Sequence, residues 1–236
     1  MKVFHFSGGH SSAYMTLVYY QDGDIVIFCD TGREDPDTYR FVRDFERVNS
    51  IPVVWLSGVW RNDVIRKEKC IPNRFKRKCT INMKIKRARR YLRSIGLFSY
   101  TQLVGFRFDE PTRVKSYREY WKKVKTEFPL YNDRIIEAEI NLYWIGQFYC
   151  LKIAAILKNC DLCFQKGEAA VMVIIQNAPE KADKWIEDEE SKELNPKGYT
   201  YFKGVTMREL KNRALSLSKV YNLEEMTSKF SCTCHA

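Results

Sequence analysis

Near its N-terminus the chain reads Ser7-Gly8-Gly9-His10-Ser11-Ser12. Two glycines let a backbone turn sharply and come close to an anion. The hydroxyls of Ser7, Ser11 and Ser12 add donors, and the amides that open a following helix point at the same place. His10 offers a further donor, to phosphate or to solvent. This is the chemistry of a phosphate loop, although it lacks the Gly-Lys-Ser/Thr of a Walker A sequence and the spacing Gly-x-Gly-x-x-Gly. A plain strand-to-helix turn is the competing reading of these six residues.

Two other segments carry chemistry. Asp30-Thr31-Gly32-Arg33-Glu34 and Gly105-Phe106-Arg107 each follow an apolar run, and Arg107 and Arg113 can pair with phosphate or sulfate oxygens. In isolation Arg107 reads equally as an ion-pair partner of Asp109 or Glu110. Eight cysteines are present. In a reducing cytoplasm they are not expected to form structural disulfides. Cys160 and Cys163 form a C-x-x-C pair, whose thiolates can reach one metal or each other. Cys79 lies upstream among basic residues, while Cys29 and Cys150 sit in apolar runs and read as packing residues. His5 reads as structural. Trp55, Trp60, Trp121, Trp144 and Trp185 read as core or lid residues.

These groups need elements to hold them. Lys2–Phe6, Asp24–Cys29, Pro52–Leu56 and Gln102–Phe106 are apolar runs of strand length. Ser11–Tyr20 and Pro36–Val48 are helices between the first three, Pro36 being well placed at a first turn. Met83–Ser94, Glu137–Gln147, Glu168–Asn177 and Pro179–Glu190 are further helix candidates. The alternation predicts an α/β fold with a doubly wound, mostly parallel sheet. Ligands of such sheets bind beyond the carboxyl ends of the strands, where the three polar segments fall. We expect a single domain over 1–236, with an α/β core over 1–110 and a helical, cysteine-containing portion over 111–236.

The net charge is +11. Between Arg61 and Arg93, fourteen Lys and Arg face only Asp63 and Glu68, so the excess is local. Such a patch suits a nucleotide, a polyphosphate or nucleic acid, or is a solvated surface. No stretch approaches a membrane span, and the N-terminus lacks the features of a signal peptide, so a cytoplasmic protein is expected.

Taken together, Phe6-Ser7-Gly8-Gly9-His10-Ser11-Ser12-Ala13-Tyr14-Met15, Asp30-Thr31-Gly32-Arg33-Glu34, Cys79-Thr80, Met83-Lys84-Ile85, Gly105-Phe106-Arg107-Phe108-Asp109-Glu110, Pro129-Leu130-Tyr131 and Asn159-Cys160-Asp161-Leu162-Cys163-Phe164-x-Lys166-Gly167 carry a resemblance. The first resembles the PP-loop of the N-type ATP pyrophosphatases. The collinear set resembles the phosphoadenosine-phosphosulfate (PAPS) reductase family, particularly its small phage and mobile-element members. The resemblance implies a fold of adenine-nucleotide alpha-hydrolase type, with ATP, adenosine phosphosulfate (APS) or PAPS lying across the strand ends. Ser11 departs from the aspartate of many relatives, and His10 from their basic residue.

The resemblance extends to the cysteines. Iron–sulfur APS reductases have an upstream cysteine pair followed by C-x-x-C, and here Lys78 stands beside Cys79 in place of the second upstream cysteine. A [4Fe–4S] cluster on Cys79, Cys160 and Cys163 needs a fourth thiolate, from Cys232 or Cys234 with Cys70 a weaker candidate, and zinc is the competing occupant. Reductases of the family also carry a C-terminal Cys-x-x-His. Cys232-Thr233-Cys234-His235 has that spacing without the usual flanking glutamate and glycine, and a thiolate near a protonated histidine is a nucleophile. The tail is thus ligand, nucleophile or frayed end. Three functions follow: a PAPS- or APS-reducing enzyme with a thiol reductant protein, an ATP-dependent sulfurtransferase acting on nucleic acid, or an inert nucleotide-binding module with a structural metal. The family makes a homodimer reasonable.

Overall fold

The computed structural model describes residues 1–120, 124–157, 160–219 and 221–222. Cys232, Cys234, His235, Trp121 and Asn159 lie outside the described residues. Five strands form one sheet: β1 (Lys2–Phe6), β2 (Ile25–Phe28), β3 (Val53–Trp55), β4 (Thr101–Val104) and β5 (Thr126–Glu127). Their order is β3-β2-β1-β4-β5 and all pairings are parallel. The chain winds outward from β1 through β2 and β3, then returns to the other side of β1 for β4. The C-terminal ends of β1 and β4 therefore border the point where the winding reverses, the crevice where open α/β sheets hold ligands.

The period of two along each strand divides the sheet's faces. Phe4, Phe6, Val26 and Phe28 pack with α1 (His10–Tyr19), α2 (Pro36–Asn49) and, beyond them, α6 (Glu137–Ile145). Val3 and Ile27 point the other way, against Ala88 and Leu92 of α3 (Lys86–Ser94). Helices on both faces bury both, which explains the near-continuous apolar strands. Beyond the sheet, α4 (Pro111–Tyr120) and α5 (Pro129–Asn132) flank β5. A second core unites α7 (Glu168–Asn177), α8 (Asp183–Glu190) and α9 (Met207–Ser216) around the fully buried Trp185, and it draws in Trp60, Val64, Ile65 and Met83 from the basic segment.

Several boundaries move for local reasons. The helix expected from Met83 becomes α-helical at Lys86, after a π-helical turn over Thr80–Ile85, and Arg61–Arg66 is another such turn. The expected Pro179–Glu190 helix divides into a 3-10 turn, Pro179–Ala182, and α8. Among the described residues, α4, the two-residue edge strand β5, α5 and α9 were not anticipated. No helix among the described residues is long and apolar enough to cross a membrane.

Candidate functional site at the strand ends

Ser12, buried in the first turn of α1, closes the glycine loop. Its Oγ accepts from the Ser7 amide at 3.1 Å, lies 3.0 Å from Ser7 Oγ and donates to the Gly9 carbonyl at 2.9 Å. Gly8 has φ +77°, and a Cβ there would meet Thr38 Cγ2 at 2.6 Å, so α2 and the backbone both demand glycine. Gly9 is the N-cap of α1; it has no side-chain cap, and the first turn holds no acidic residue. The opening amides of α1 are thus presented to an anion without an internal carboxylate competitor.

Across the reversal point, the end of β4 presses on this loop. A Cβ on Gly105 would lie 3.2 Å from Ser12 Cα and 3.3 Å from the Ser11 carbonyl oxygen. Two residues on, Arg107 reaches Ser11 Oγ with Nη1 at 3.3 Å. The same guanidinium donates through Nε to Asp109 at 2.9 Å and lies 3.4 Å from Glu137 through Nη2, while its amide donates to Glu110 at 3.0 Å. Burial works against its positive charge, but Glu110, Asp109 and Glu137 outweigh it and raise the pKa. Arg107 thus pairs with Asp109 and Glu110, and its contact with Ser11 sets that ion-pair cluster beside the loop. Arg113 stands behind it, paired with Glu110 and lying 4.3 Å over the Phe106 ring.

His10 packs against α6 and the segment after it. Its ring stacks on Trp144 at 5.2 Å, its Nε2 accepts from the Leu151 amide at 3.3 Å, and its carbonyl accepts from Trp144 Nε1 at 3.1 Å. It joins α1 to α6. Asp30 is likewise engaged: its Oδ1 accepts from the Gly32 amide and the Tyr39 hydroxyl, both at 2.7 Å. That turn, with Gly32 at φ +70°, shapes the loop after β2.

The C-x-x-C segment joins the same edge of the sheet. Glu34 and Cys160 form an antiparallel bridge, and the Asp161 amide donates to the Arg33 carbonyl at 2.9 Å. Thr31 Oγ1 donates to Glu34 Oε1 at 2.9 Å and lies 3.6 Å from Cys160 Sγ, which itself is 3.6 Å from Glu34 Oε1. Cys163 is buried one turn on, its amide bonded to the Cys160 carbonyl at 3.3 Å. Arg33 anchors this region. Its guanidinium, 7% exposed, pairs with the fully buried Asp188 at 2.5 Å and lies 5.6 and 5.2 Å from the rings of Trp60 and Trp185. Arg61 takes the other Asp188 oxygen at 2.5 Å. Burial raises the Asp188 pKa against the pull of the two arginines.

Among the described residues, no group of three or more His, Cys, Asp or Glu side chains is arranged to hold a metal ion. Cys79 packs against the C-terminal core, and burial pushes its thiol pKa up. Burial also raises Cys29 to about 11. Cys79, Cys160 and Cys163 therefore do not by themselves form the expected ligand set. Sequence reasoning missed the pairing of Asp188 with Arg33 and that of Trp144 with His10, partners more than a hundred residues apart that leave no local signal. Glu110 and Glu34 were visible only as companions of better-known residues.

An all-parallel α/β sheet with a closed glycine loop at its reversal point defines a class of phosphate-binding protein. Residues 2–139 match the phosphoadenosine phosphosulfate reductase domain family, and the chain belongs to that nucleotide-binding family. It is 28% identical over 202 residues to an uncharacterized nin region protein, ORF290, of Escherichia phage lambda, covering 71% of this chain and 67% of that one. It is also similar to the crystal structure of a PAPS reductase from Candida auris in complex with phosphate, at 17% identity and a TM-score of 0.42 over 61% of this chain and 71% of that one.

Proposed function

We propose that this protein is an enzyme that binds an adenylyl nucleotide carrying sulfate across the ends of β1, β2 and β4 and reduces its sulfate to sulfite. The observation that carries the reading is the loop closed by Ser12, with Gly105 and Arg107 opposite it. In this reading the amides of Gly9 to Ser12 and the hydroxyls of Ser7 and Ser11 hold the phosphate. Arg107 exchanges part of its carboxylate pairing for the anion, with Arg113 supporting it, and Thr31 and Gly32 line the neighbouring strand end. Charge-assisted bonds of this kind are among the stronger polar contacts.

The chemistry asks for thiols. A thiolate attacks the sulfate sulfur, an S–S bond forms, and the S–O bond to phosphate breaks, the phosphate leaving with the electron pair. A thiol of the reductant then attacks the cysteine sulfur, releasing sulfite and leaving a mixed disulfide, which the reductant's second thiol resolves to its own disulfide and the free cysteine. Two thiol equivalents, supplied by a dithiol reductant, balance the two-electron reduction. Cys232 or Cys234, with His235 favouring the thiolate, is the proposed nucleophile, on the family's Cys-x-x-His pattern. A metal on Cys160 and Cys163 needs the tail cysteines as well, and the reading does not depend on one. The test is twofold: calorimetric titration with ATP, APS and PAPS, then sulfite release from APS or PAPS with dithiothreitol. Saturable binding of a sulfated nucleotide, and sulfite formation lost in Cys232→Ser or Cys234→Ser, are expected. Pyrophosphate release from ATP in place of sulfite formation would overturn it.

A further inference from the structure

Midway along the basic segment, between the π-helical turns Arg61–Arg66 and Thr80–Ile85, lies a loop built to present an aromatic ring. Cys70 and Ile71 are buried and anchor its start. Glu68 ties its two ends, pairing with Lys78 Nζ at 2.9 Å and accepting from Asn82 Nδ2 at 2.8 Å. At the tip, Asn73 Oδ1 accepts from the amides of Phe75 and Lys76, both at 3.0 Å, and the Asn73 amide donates to the Lys76 carbonyl at 3.3 Å. Lys76 Nζ also rests 4.9 Å from the Tyr199 ring, joining the loop to the C-terminal portion. On this fixed turn Phe75 is 84% exposed. An apolar ring held out in water by an ordered turn forfeits the burial that normally stabilises Phe.

The surrounding charge says what covers it. Arg61, Arg66, Lys78 and Arg87 are paired with carboxylates. Arg74, next to the ring in sequence, and Lys67 and Lys69 before the loop are exposed and have no salt bridge among the described residues. An aromatic face flanked by unneutralised cations is complementary to a polyanion that carries flat apolar rings, which is single-stranded nucleic acid. A duplex hides its base faces, whereas a single strand offers them for stacking.

We infer that this loop binds single-stranded nucleic acid, Phe75 stacking on an unpaired base while Arg74 and the flanking lysines contact the phosphates. The inference stands apart from which nucleotide the strand-end cleft takes. It is tested on the full chain by fluorescence anisotropy with a labelled oligothymidylate of about 16 nucleotides, within the site sizes known for single-strand binders. Phe75→Ala is expected to weaken binding about tenfold and Phe75→Trp to preserve it. Arg74→Ala should lower the slope of log affinity against log salt by about 0.7, the value of one single-strand phosphate. Because Phe75 and Arg74 are exposed, the variants are expected to keep the wild-type melting temperature. Equal affinity of Phe75→Ala and wild type, equal affinity for a duplex of the same length, or displacement of the oligonucleotide by adenosine monophosphate would each overturn it. So would absence of oligonucleotide binding alongside Phe75-dependent binding to phosphatidylserine vesicles, which assigns the loop to lipid.

Discussion

The glycine loop and the C-x-x-C segment lie at the same edge of the sheet but are made in different ways. The loop is held by neighbours: Ser12 bonds back to Ser7 and Gly9, three to five residues away. The C-x-x-C segment is held by distant partners, Glu34 and Thr31 on Cys160 and, behind them, Arg33 on Asp188. A site closed by local hydrogen bonds is written into a short motif. A site assembled from opposite ends of the chain depends on the core that brings those ends together.

The comparison is broken most forcefully at Asp188. Asp188→Ala leaves Arg33 buried without its carboxylate and is expected to cost about 3–5 kcal/mol. For a chain of this size that lowers Tm by about 10 °C. Nucleotide affinity of the folded protein should change little; an equal loss in affinity would mean that the two sites are one unit. Gly8→Ala acts on the other side. It combines the penalty of positive φ with a contact against Thr38 and is expected to cost about 2–3 kcal/mol and to abolish nucleotide binding. A third, smaller effect sharpens the role of Arg107. Arg107→Ala is expected to weaken nucleotide binding about 10- to 100-fold, by losing a charge-assisted bond, with Tm nearly unchanged. If affinity holds, its carboxylate pairs are its whole function.

A fourth effect, seen only as the pH falls, concerns the sheet that supports both sites. Burial lowers the pKa of His5 from 6.5 to about 4, against the hydrogen bond to Gln102 that favours its charge. The unfolded chain therefore takes up this proton first, and stability falls as pH drops from about 6.5 to 4. His5→Gln should flatten that part of a stability–pH profile measured by urea denaturation; an unchanged slope would assign the acid sensitivity elsewhere.

The same contrast governs what the sequence reveals. β1, the glycine loop and α1 were legible because each is specified within a few residues. So was the winding of β1 to β3, from apolar runs separated by turn residues. β5 was not, being two edge residues, Thr126 and Glu127, without a periodic signal. The signal for α9 was present and passed over: Thr206 and Glu209 form a capping box before Met207, Leu210 and Ala214. His10 read as a loop donor because its stacking partner, Trp144, comes from α6. Arg107 could be read two ways, and its pairing with Asp109 and Glu110 is the one seen here. The link from Cys160 to Glu34 depends on tertiary packing, which no spacing rule encodes.

The measurement that bears most directly on the central claim is calorimetric titration of PAPS, APS and ATP into wild-type protein and Ser12→Ala. Ser12→Ala removes the hydroxyl that closes the loop while the apolar contacts of α1 remain. The account predicts saturable, one-to-one binding of at least one of these nucleotides to wild type, and its loss in a Ser12→Ala variant that still melts cooperatively. Equal affinity in the two proteins, or binding to neither, would contradict it.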